Sequence, residues 1–237
     1  MTSTGYGKRS STWRRAVADV AIVSAVYDSY DDLKPALPQA GIGVDWVFVT
    51  DDPVLGAKPS HHGWRVVFEP RPGVHPNRAA KHPKYEPWKY TDAAASLWVD
   101  ASFRIVSETF AVEAVAHADP IAQFAHPWRD CLYAEAKESA GLAKYAGEPV
   151  LEQAESYRTA GHPEGWGLWA TGVIARQHTE AVRKMGWLWL AETYRWSFQD
   201  QISQPFALRE NGLRPAAFPG NHLATPWLAY EGSARHG

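Results

Sequence analysis

The chain has little cysteine and little net charge. Cys131 is the only cysteine among 237 residues, so no internal disulfide can form, and the formal net charge is −2. Nonspecific nucleic-acid binders usually carry a large basic excess. A chain without disulfides is typical of a reducing compartment. We therefore expect a cytoplasmic protein that is not built for nonspecific binding to nucleic acids, although local basic patches are compatible with this composition.

The sequence also lacks long apolar runs and a leader-like start. A membrane helix requires about 20 consecutive apolar residues, and no segment approaches that length. The first 15 residues are polar and basic, and no apolar stretch follows them as it would in a signal peptide. We therefore predict no membrane segment and no signal peptide. Residues 1–17 are expected to form a flexible arm, and residues 18–237 one folded domain.

Tryptophan, in contrast, is abundant. The chain has 12 tryptophans, and 45% of all residues are hydrophobic, which is enough for a sizeable core. Aromatic rings stack on bases and on other flat ligand faces, but large aromatic side chains most often belong to the core. We expect a few tryptophans to face a ligand and the others to be buried.

Apolar runs of strand length alternate with polar turns in the first half of the chain. They occupy residues 20–27, 45–50, 64–68 and 96–100. This order predicts an α/β fold with a mostly parallel central sheet that is flanked by helices. In such sheets ligands bind beyond the carboxyl ends of the strands. Asp28, Asp51 and Asp100 follow three of these runs, so we expect them to share one rim.

The second half has longer helical patterns. Helices are predicted over residues 107–118, 130–145, 149–160, 179–196 and 198–211, and strands over 120–125 and 167–175. Asp130 is a candidate N-cap for the second of these helices. Gly172 lies inside the later strand, where a glycine permits close approach of backbone or ligand.

Asp100 and Ser102 form the most informative pattern in the sequence. An acidic residue, a spacer and a hydroxyl follow a buried strand. Mg²⁺ and Mn²⁺ prefer oxygen ligands and bind carboxylates together with phosphates. The pattern is therefore compatible with a metal and diphosphate site, and equally with a strand end that Asp100 caps.

A basic stretch precedes this pattern. It contains Arg78, Lys81, Lys84 and Lys89 within twelve residues. Fixed cations offset the negative charge of a phosphate leaving group. The same residues are compatible with a solvated basic face, or with a groove for a phosphate-bearing polymer such as DNA.

A second charged cluster surrounds the cysteine. We expect Glu135 to be structural, with Arg129 as a pairing partner, and Cys131 to be packed. Asp130 is either a helix cap or an acceptor-side catalytic residue.

Four segments carry a resemblance to a known family. They are residues 81–85, 97–102, 126–136 and 196–203. These segments resemble the glycosyltransferase-like domain family that includes plant mucilage and pollen-turgor proteins and bacterial relatives. The most specific segment is 126–136, with the sequence HPWRDCLYAEA. Their order is also similar to that of the wider GT-A superfamily, which implies a single GT-A-like domain.

The resemblance implies a donor site. It would hold a nucleoside diphosphate sugar, with a UDP-sugar favoured. Tyr27 and Asp28 would hold the base, and Lys81 or Lys84 would face the diphosphate. The acceptor would be a glycan or another molecule with a free hydroxyl.

The resemblance also implies a metal and a catalytic group. Asp100, Ser102 and His222 would bind Mn²⁺ or Mg²⁺, and imidazole suits Mn²⁺ better. Asp200 and Gln201, at the start of a helix, would act on the sugar or the acceptor. His222 is also compatible with a loop histidine without a role, and Asp200 with a simple helix-terminal acid.

Two departures from the family pattern keep other functions open. Ser102 replaces the second acid of an Asp-x-Asp motif, and Thr171 stands where an asparagine is common. A binding module that kept the fold and lost catalysis is one alternative. Another is a transferase that acts on a hydroxylated base in DNA.

Overall fold

The apolar runs of the sequence form the strands of a central sheet. The computed structural model describes residues 18–71 and 73–232. The predicted arm over residues 1–17 lies outside the described residues. The strands are β1 Val20–Val26, β2 Val44–Thr50, β3 Ser60–His61, β4 Trp64–Phe68, β5 Ala95–Val99, β6 Phe103–Ile105, β7 Ile121–Ala125, β8 Trp169–Gln177, β9 Ala216–Ala217 and β10 Leu228–Tyr230.

The helices are short before the middle of the chain and longer after it. They are α1 Pro53–Gly56, α2 Pro76–Ala79, α3 Lys81–Tyr85, α4 Phe110–Ala116, α5 Leu132–Ser139, α6 Val150–Thr159, α7 Glu180–Arg195 and α8 Asp200–Glu210. Two 3₁₀ turns cover Pro87–Lys89 and Ala143–Tyr145. Among the described residues, no helix has both the length and the apolar character that crossing a bilayer requires.

Eight strands form one mixed sheet in the order β3-β4-β2-β1-β5-β8-β7-β9. The neighbours β4, β2, β1 and β5 are parallel, as the sequence predicts. Strand β8 then runs antiparallel to both β5 and β7. The predicted α/β fold with a central sheet and flanking helices is confirmed, and the sheet is parallel mainly in its first half. Strands β6 and β10 form a separate pair.

Strand β1 is buried on both faces because helices cover both sides of the sheet. Val20 and Ile22 point into a core layer with Phe110 of α4. Ala21 and Val23 point into the opposite layer, which α3 and α7 close. Successive side chains of a strand alternate between faces, so a continuous apolar run is the pattern that a doubly covered strand requires.

Helices α3 and α7 pack closely because α7 has a glycine at their contact. The rings of Tyr85 and Trp189 stack with centroids 3.8 Å apart. A Cβ at Gly186 would lie 2.4 Å from the carbonyl oxygen of Tyr85 and 2.6 Å from the ring of Trp88. The glycine therefore sets how near α7 approaches the segment that begins at Lys81.

Gly186→Ala should destabilise the fold by about 1–3 kcal/mol, the usual cost of overpacking a core. The neighbouring atom is a backbone oxygen, so a side-chain rotation cannot relieve the contact. Denaturant unfolding of the variant measures the loss. Gly141→Ala is the matched control, because its Cβ would meet no atom closer than 3.4 Å. Equal stability of Gly186→Ala and the wild type would contradict this packing.

The predicted helix over residues 130–145 is shorter in the structure. Helix α5 ends at Ser139, and a 3₁₀ turn follows after Gly141, a poor helix former. Cys131 occupies the N-cap position, and no side chain caps it. The prediction that Asp130 caps this helix is wrong, because the helix begins two residues after it.

Candidate active site

A cleft of about 350 Å³ opens at the carboxyl ends of β1 and β5. Parallel strands end at the same edge of a sheet, so this is where a ligand site is expected. Ala25 lines the cleft from β1, and Asp100 lines it directly after β5. Thr171 and Gly172 belong to β8, whose antiparallel direction brings its first half to the same edge. The preceding Ala170 lines the cleft as well.

Asp200 lies at the floor of the cleft and is bonded to two lysines. Its Oδ2 accepts hydrogen bonds from Lys81 Nζ at 2.8 Å and from Lys84 Nζ at 2.6 Å. Its Oδ1 accepts one from Thr171 Oγ1 at 3.0 Å. The side chain of Asp200 is 8% exposed, and those of the two lysines are 15% and 4% exposed. Both oxygens of this carboxylate are therefore engaged.

Asp100 is bonded to one of the same lysines. Its Oδ1 accepts from Lys84 Nζ at 3.5 Å and from Trp98 Nε1 at 2.5 Å. The side chain of Asp100 is 36% exposed, so it faces the opening of the cleft. Two ammonium groups and two carboxylates thus form one charge cluster, which we call the lysine–aspartate cluster: Lys81, Lys84, Asp100 and Asp200.

The cluster shifts the pKa values of its members in different directions. Burial and the neighbouring Lys84 lower the pKa of Lys81 to about 8, although Asp200 opposes the shift. Burial also acts to lower the pKa of Lys84, but Asp100 and Asp200 raise it above its ordinary value. For Asp200, the two lysines outweigh burial and hold the pKa far below its ordinary value. Asp200 is consequently ionised at neutral pH and is a poor proton acceptor.

Arg176 anchors the helix that carries the two lysines. It is fully buried in β8, and its Nη2 donates to the carbonyl oxygen of Lys84 at 2.6 Å. Its Nε and Nη1 have no hydrogen-bond partner among the described residues. Burial lowers the pKa of Arg176 to about 9. This buried cation therefore contacts α3 through the backbone of Lys84.

The segment 126–136 contacts the start of α8 through Glu135. Glu135 is 4% exposed and accepts from Arg129 Nε at 2.5 Å and from Gln199 Nε2 at 2.9 Å. Gln199 is the N-cap of α8 and accepts from the amide of Gln201. The prediction that Glu135 is structural and pairs with Arg129 is confirmed. The most specific motif of the sequence therefore fixes the residue next to Asp200.

Gly172 lets Asp100 lie against β8. A Cβ at this position would be 3.2 Å from Asp100 Oδ2 and 2.9 Å from the ring of Phe103. The amide of Asp100 also donates to the carbonyl oxygen of Gly172 at 2.8 Å. The prediction that Gly172 permits a close approach is confirmed, and the approaching group is Asp100.

The basic stretch over residues 78–89 is neutralised within the chain. Arg78 pairs with Glu148 at 2.8 Å, and Lys89 pairs with Glu86 at 2.7 Å. Lys81 and Lys84 are turned inward to the cluster. The stretch does not form a basic outer face, so the structure removes the sequence-based reason to expect DNA binding there.

Three predicted site residues lie outside the cleft. Tyr27 is 2% exposed and its hydroxyl donates to Glu69 at 3.3 Å, so no ring face is open for a base to stack on. This corrects the role predicted for Tyr27. Asp28 is exposed and paired with Arg71 at 2.9 Å. Asp130 is exposed on the surface, and its catalytic role stays a prediction.

Arg71 also explains why the predicted acidic rim divides. It bonds Asp51 as well as Asp28, so the acids after β1 and β2 form one ion pair network. Asp100 belongs to the cleft instead. All three acids follow the carboxyl ends of parallel strands and so lie at one edge of the sheet, as expected, but of the three Asp100 alone lines the cleft.

The predicted metal ligands do not fit a divalent cation. Asp100, Ser102 and His222 all line the cleft. However, the described residues contain no group of three or more histidine, cysteine, aspartate or glutamate side chains arranged to hold a metal. Asp100 is already bonded to the ammonium of Lys84, which would repel a cation placed beside it.

His222 contributes a neutral imidazole to the wall of the cleft. Burial and the nearby His126 lower its pKa, against the opposing effect of Asp100. Its Nδ1 is buried without a hydrogen-bond partner in the part of the chain that the structure describes. One imidazole and one lysine-bound carboxylate are a weak donor set for a hard ion.

The comparison with protein families agrees with this geometry. The model of the TOD1/MUCI70 glycosyltransferase-like domain matches residues 50–217. The chain belongs to the TOD1/MUCI70 glycosyltransferase-like domain family. This confirms the family resemblance seen in the sequence, and it supports a general glycosyltransferase role. The match contains the whole lysine–aspartate cluster, whereas His222 lies beyond its end. A search of curated proteins found no match.

Sequence reasoning missed several aromatic residues of the cleft. Tyr30, Tyr145, Phe198 and Tyr230 line its walls. Tyr30 follows two residues with positive φ, Asp28 and Ser29, which turn the chain back over the cleft. Tyr145 and Tyr230 come from distant parts of the chain, and no local pattern marks them.

Proposed function

We propose that this chain transfers a sugar from a nucleoside diphosphate sugar to an acceptor hydroxyl. The observation that carries the proposal is the pair of lysine ammoniums at the floor of the cleft. Lys81 and Lys84 are buried, they converge on one carboxylate, and both line the cleft. Membership of a glycosyltransferase-like family supports the same reaction class. We take UDP-sugars as the first donors to test, and a glycan as the first acceptor.

The charges of the cleft suit the transfer step. The bond between the anomeric carbon and the diphosphate oxygen breaks with its electron pair on the diphosphate. The acceptor oxygen bonds the anomeric carbon, and its proton passes to the departing diphosphate or to water. Preorganised ammonium groups stabilise the charge that develops on the leaving group. Asp200 holds the two ammoniums in place, and Gln201 lines the cleft beside it.

A panel of sugar nucleotides tests this proposal. Thermal unfolding should be followed with UDP-, GDP-, ADP- and dTDP-sugars, each with and without Mn²⁺. A ligand at a hundred times its Kd adds about 2.7 kcal/mol to the stability of the protein. Release of free sugar from the donor that binds should then be measured without acceptor. Failure of every donor to stabilise the protein would refute the proposal.

A second candidate function is a binding module that retains the fold without catalysis. Two observations favour it: Ser102 stands at the position of a second acid, and both oxygens of Asp200 are engaged. Donor binding without any hydrolysis or transfer would support this candidate. Sugar release by the wild type that is lost on mutation of the cluster would support the enzyme.

The affinity of the cleft for diphosphate should fall as the pH rises through about 8. The pKa of Lys81 is lowered to about 8, so its ammonium is lost above that pH. If binding requires the charged form, affinity for pyrophosphate falls about tenfold per pH unit above pH 8. Calorimetric titration between pH 7 and 9.5 measures the profile. A flat profile would contradict this role of Lys81.

The stability of the free protein should move in the opposite direction. The pKa of Lys81 is lower in the folded protein than its ordinary value of 10.5. Between pH 8 and pH 10.5 the side chain of Lys81 binds more protons in the unfolded chain than in the folded chain. The contribution of Lys81 to stability therefore rises with pH in this range. Unfolding therefore cannot explain a loss of affinity in this window. The control is Lys81→Arg, which stays charged throughout and should flatten the profile.

A further inference from the structure

The lysine–aspartate cluster leaves several ammonium hydrogens without a protein acceptor. An ammonium group has three N–H donors. Lys81 donates to Asp200, and Lys84 donates to Asp200 and Asp100. Within the described residues, two donors of Lys81 and one of Lys84 remain for a ligand. These donors belong to side chains that line the cleft.

The same cluster makes Asp100 a poor ligand for a metal ion. The Oδ1 atom is taken by Lys84 and by the indole of Trp98. The position where a second carboxylate would help is Ser102, a neutral ligand. A divalent cation at Asp100 would lie close to the Lys84 ammonium, and like charges at such short range repel each other strongly.

Arg176 holds the helix that carries the two lysines in place. It is completely buried, and one of its donors bonds the backbone of Lys84. No acidic side chain is paired with it among the described residues. Its hydrogen bond to the Lys84 carbonyl oxygen therefore fixes the backbone of α3 relative to β8.

We propose that the two lysine ammoniums take the place of a divalent metal, so that the donor diphosphate binds here without one. The inference rests on the proposed function, because it assigns how that site holds its donor. Lys81 and Lys84 donate to the diphosphate oxygens, and Asp200 keeps both in position. Asp100 orients Lys84, and its negative charge opposes the incoming diphosphate.

Binding with and without metal gives the first test. Pyrophosphate and UDP are titrated into the wild-type protein by calorimetry at pH 7, first with EDTA and then with Mn²⁺ or Mg²⁺ in its place. We expect binding in EDTA, with an affinity that either metal changes by less than about threefold, a difference of roughly 0.7 kcal/mol. Binding that EDTA abolishes and Mn²⁺ restores would overturn the inference.

Substitution of Asp100 gives the sharper test, because the two kinds of site predict opposite results. If Asp100 held a metal, Asp100→Asn would abolish binding of UDP. In a lysine site the same change removes a repelling charge, so the affinity for UDP in EDTA should stay equal or increase. A loss of binding in Asp100→Asn, with an unchanged melting temperature, would overturn the inference.

Substitution of the lysines completes the experiment. Lys81→Met and Lys84→Met should each weaken binding of UDP and pyrophosphate at least tenfold in EDTA. Lys89→Met is the matched control, because Lys89 lies on the same stretch, is exposed and pairs with Glu86. If Lys84→Met does not fold, Lys81→Met still decides, since Lys81 is the more exposed of the two. Unchanged affinity in a folded Lys81→Met would overturn the inference.

The outcomes separate this inference from the proposed function. Binding of UDP only with Mn²⁺ overturns the lysine site and leaves the sugar transferase standing. No binding of pyrophosphate or of any nucleoside diphosphate, with or without metal, overturns both.

Discussion

Asp200→Asn should lower the free energy of unfolding by about 3–5 kcal/mol, the usual loss when one partner of a buried ion pair is removed. The carboxylate is the shared acceptor of Lys81 and Lys84, and all three side chains are mostly buried. An asparagine offers one neutral acceptor to two ammonium groups. Asp100 is then the only carboxylate of the cluster. It lies 3.5 Å from the ammonium of Lys84 and forms no ion pair with Lys81. Chemical denaturation of the variant measures the loss.

A diphosphate should rescue much of this lost stability. The two uncompensated ammoniums of Asp200→Asn gain an anionic partner when pyrophosphate or UDP binds. The increase in melting temperature on adding ligand should therefore be larger in the variant than in the wild type. Turnover of a donor should still fall at least about tenfold, or roughly 1.4 kcal/mol of barrier, because the ammoniums lose the group that positions them.

Asp130→Asn is the matched control for this substitution. Asp130 is exposed and outside the cleft, so its stability should change by less than about 0.5 kcal/mol. The same variant tests the acceptor-side role predicted for Asp130, since that role requires a loss of turnover. If Asp200→Asn is as stable as the wild type, the buried ion pairs of Asp200 contribute little to the free energy of unfolding.

Glu135→Ala should destabilise the protein by about 3 kcal/mol, at the low end of the range for a broken buried pair. The low end applies because Arg129 is 24% exposed and can regain water. Gln199 and Ser139 lose a common acceptor in the variant. Because Gln199 caps the start of α8, turnover should fall together with stability. Unfolding curves and donor hydrolysis measure the two effects.

The neighbouring Glu138 provides the control. It lies 3.9 Å from the same Arg129, but its side chain is 58% exposed. Exposed ion pairs contribute little, so Glu138→Ala should change stability by less than about 1 kcal/mol. Glu135→Gln should fall between the two, because an amide keeps a hydrogen bond while it loses the charge. Equal losses of stability in Glu135→Ala and Glu138→Ala would show that burial does not increase the contribution of the ion pair to stability.

The strands of the parallel half could be predicted from the sequence. A strand that is covered on both faces is apolar at nearly every position, and six of the seven residues of β1 are apolar, with Ser24 as the exception. The reversal at β8 could not be predicted. A fully buried antiparallel strand has the same apolar pattern as a parallel one, so periodicity does not reveal direction.

The residues of the cleft could be predicted more readily than their contacts. Asp100, Asp200 and the two lysines were marked by local patterns, and all four line one cleft. Their pairing joins positions 116 and 119 residues apart, and no local pattern determines such a contact. Tyr27 was misjudged because an aromatic residue at a strand end is equally compatible with a stacking platform and with the core.

The lysine–aspartate cluster also determines when the protein can finish folding during its synthesis. Lys84 is made 116 residues before its partner Asp200. At about 5–20 residues per second, translation takes about 6–23 s to cover that distance. During this interval the lysines lack Asp200, and until residues 169–177 are made β5 also lacks the neighbour β8 that covers its edge. The cleft therefore becomes complete only late in synthesis, after Asp200 and then His222 and Tyr230, which also line it, have been made.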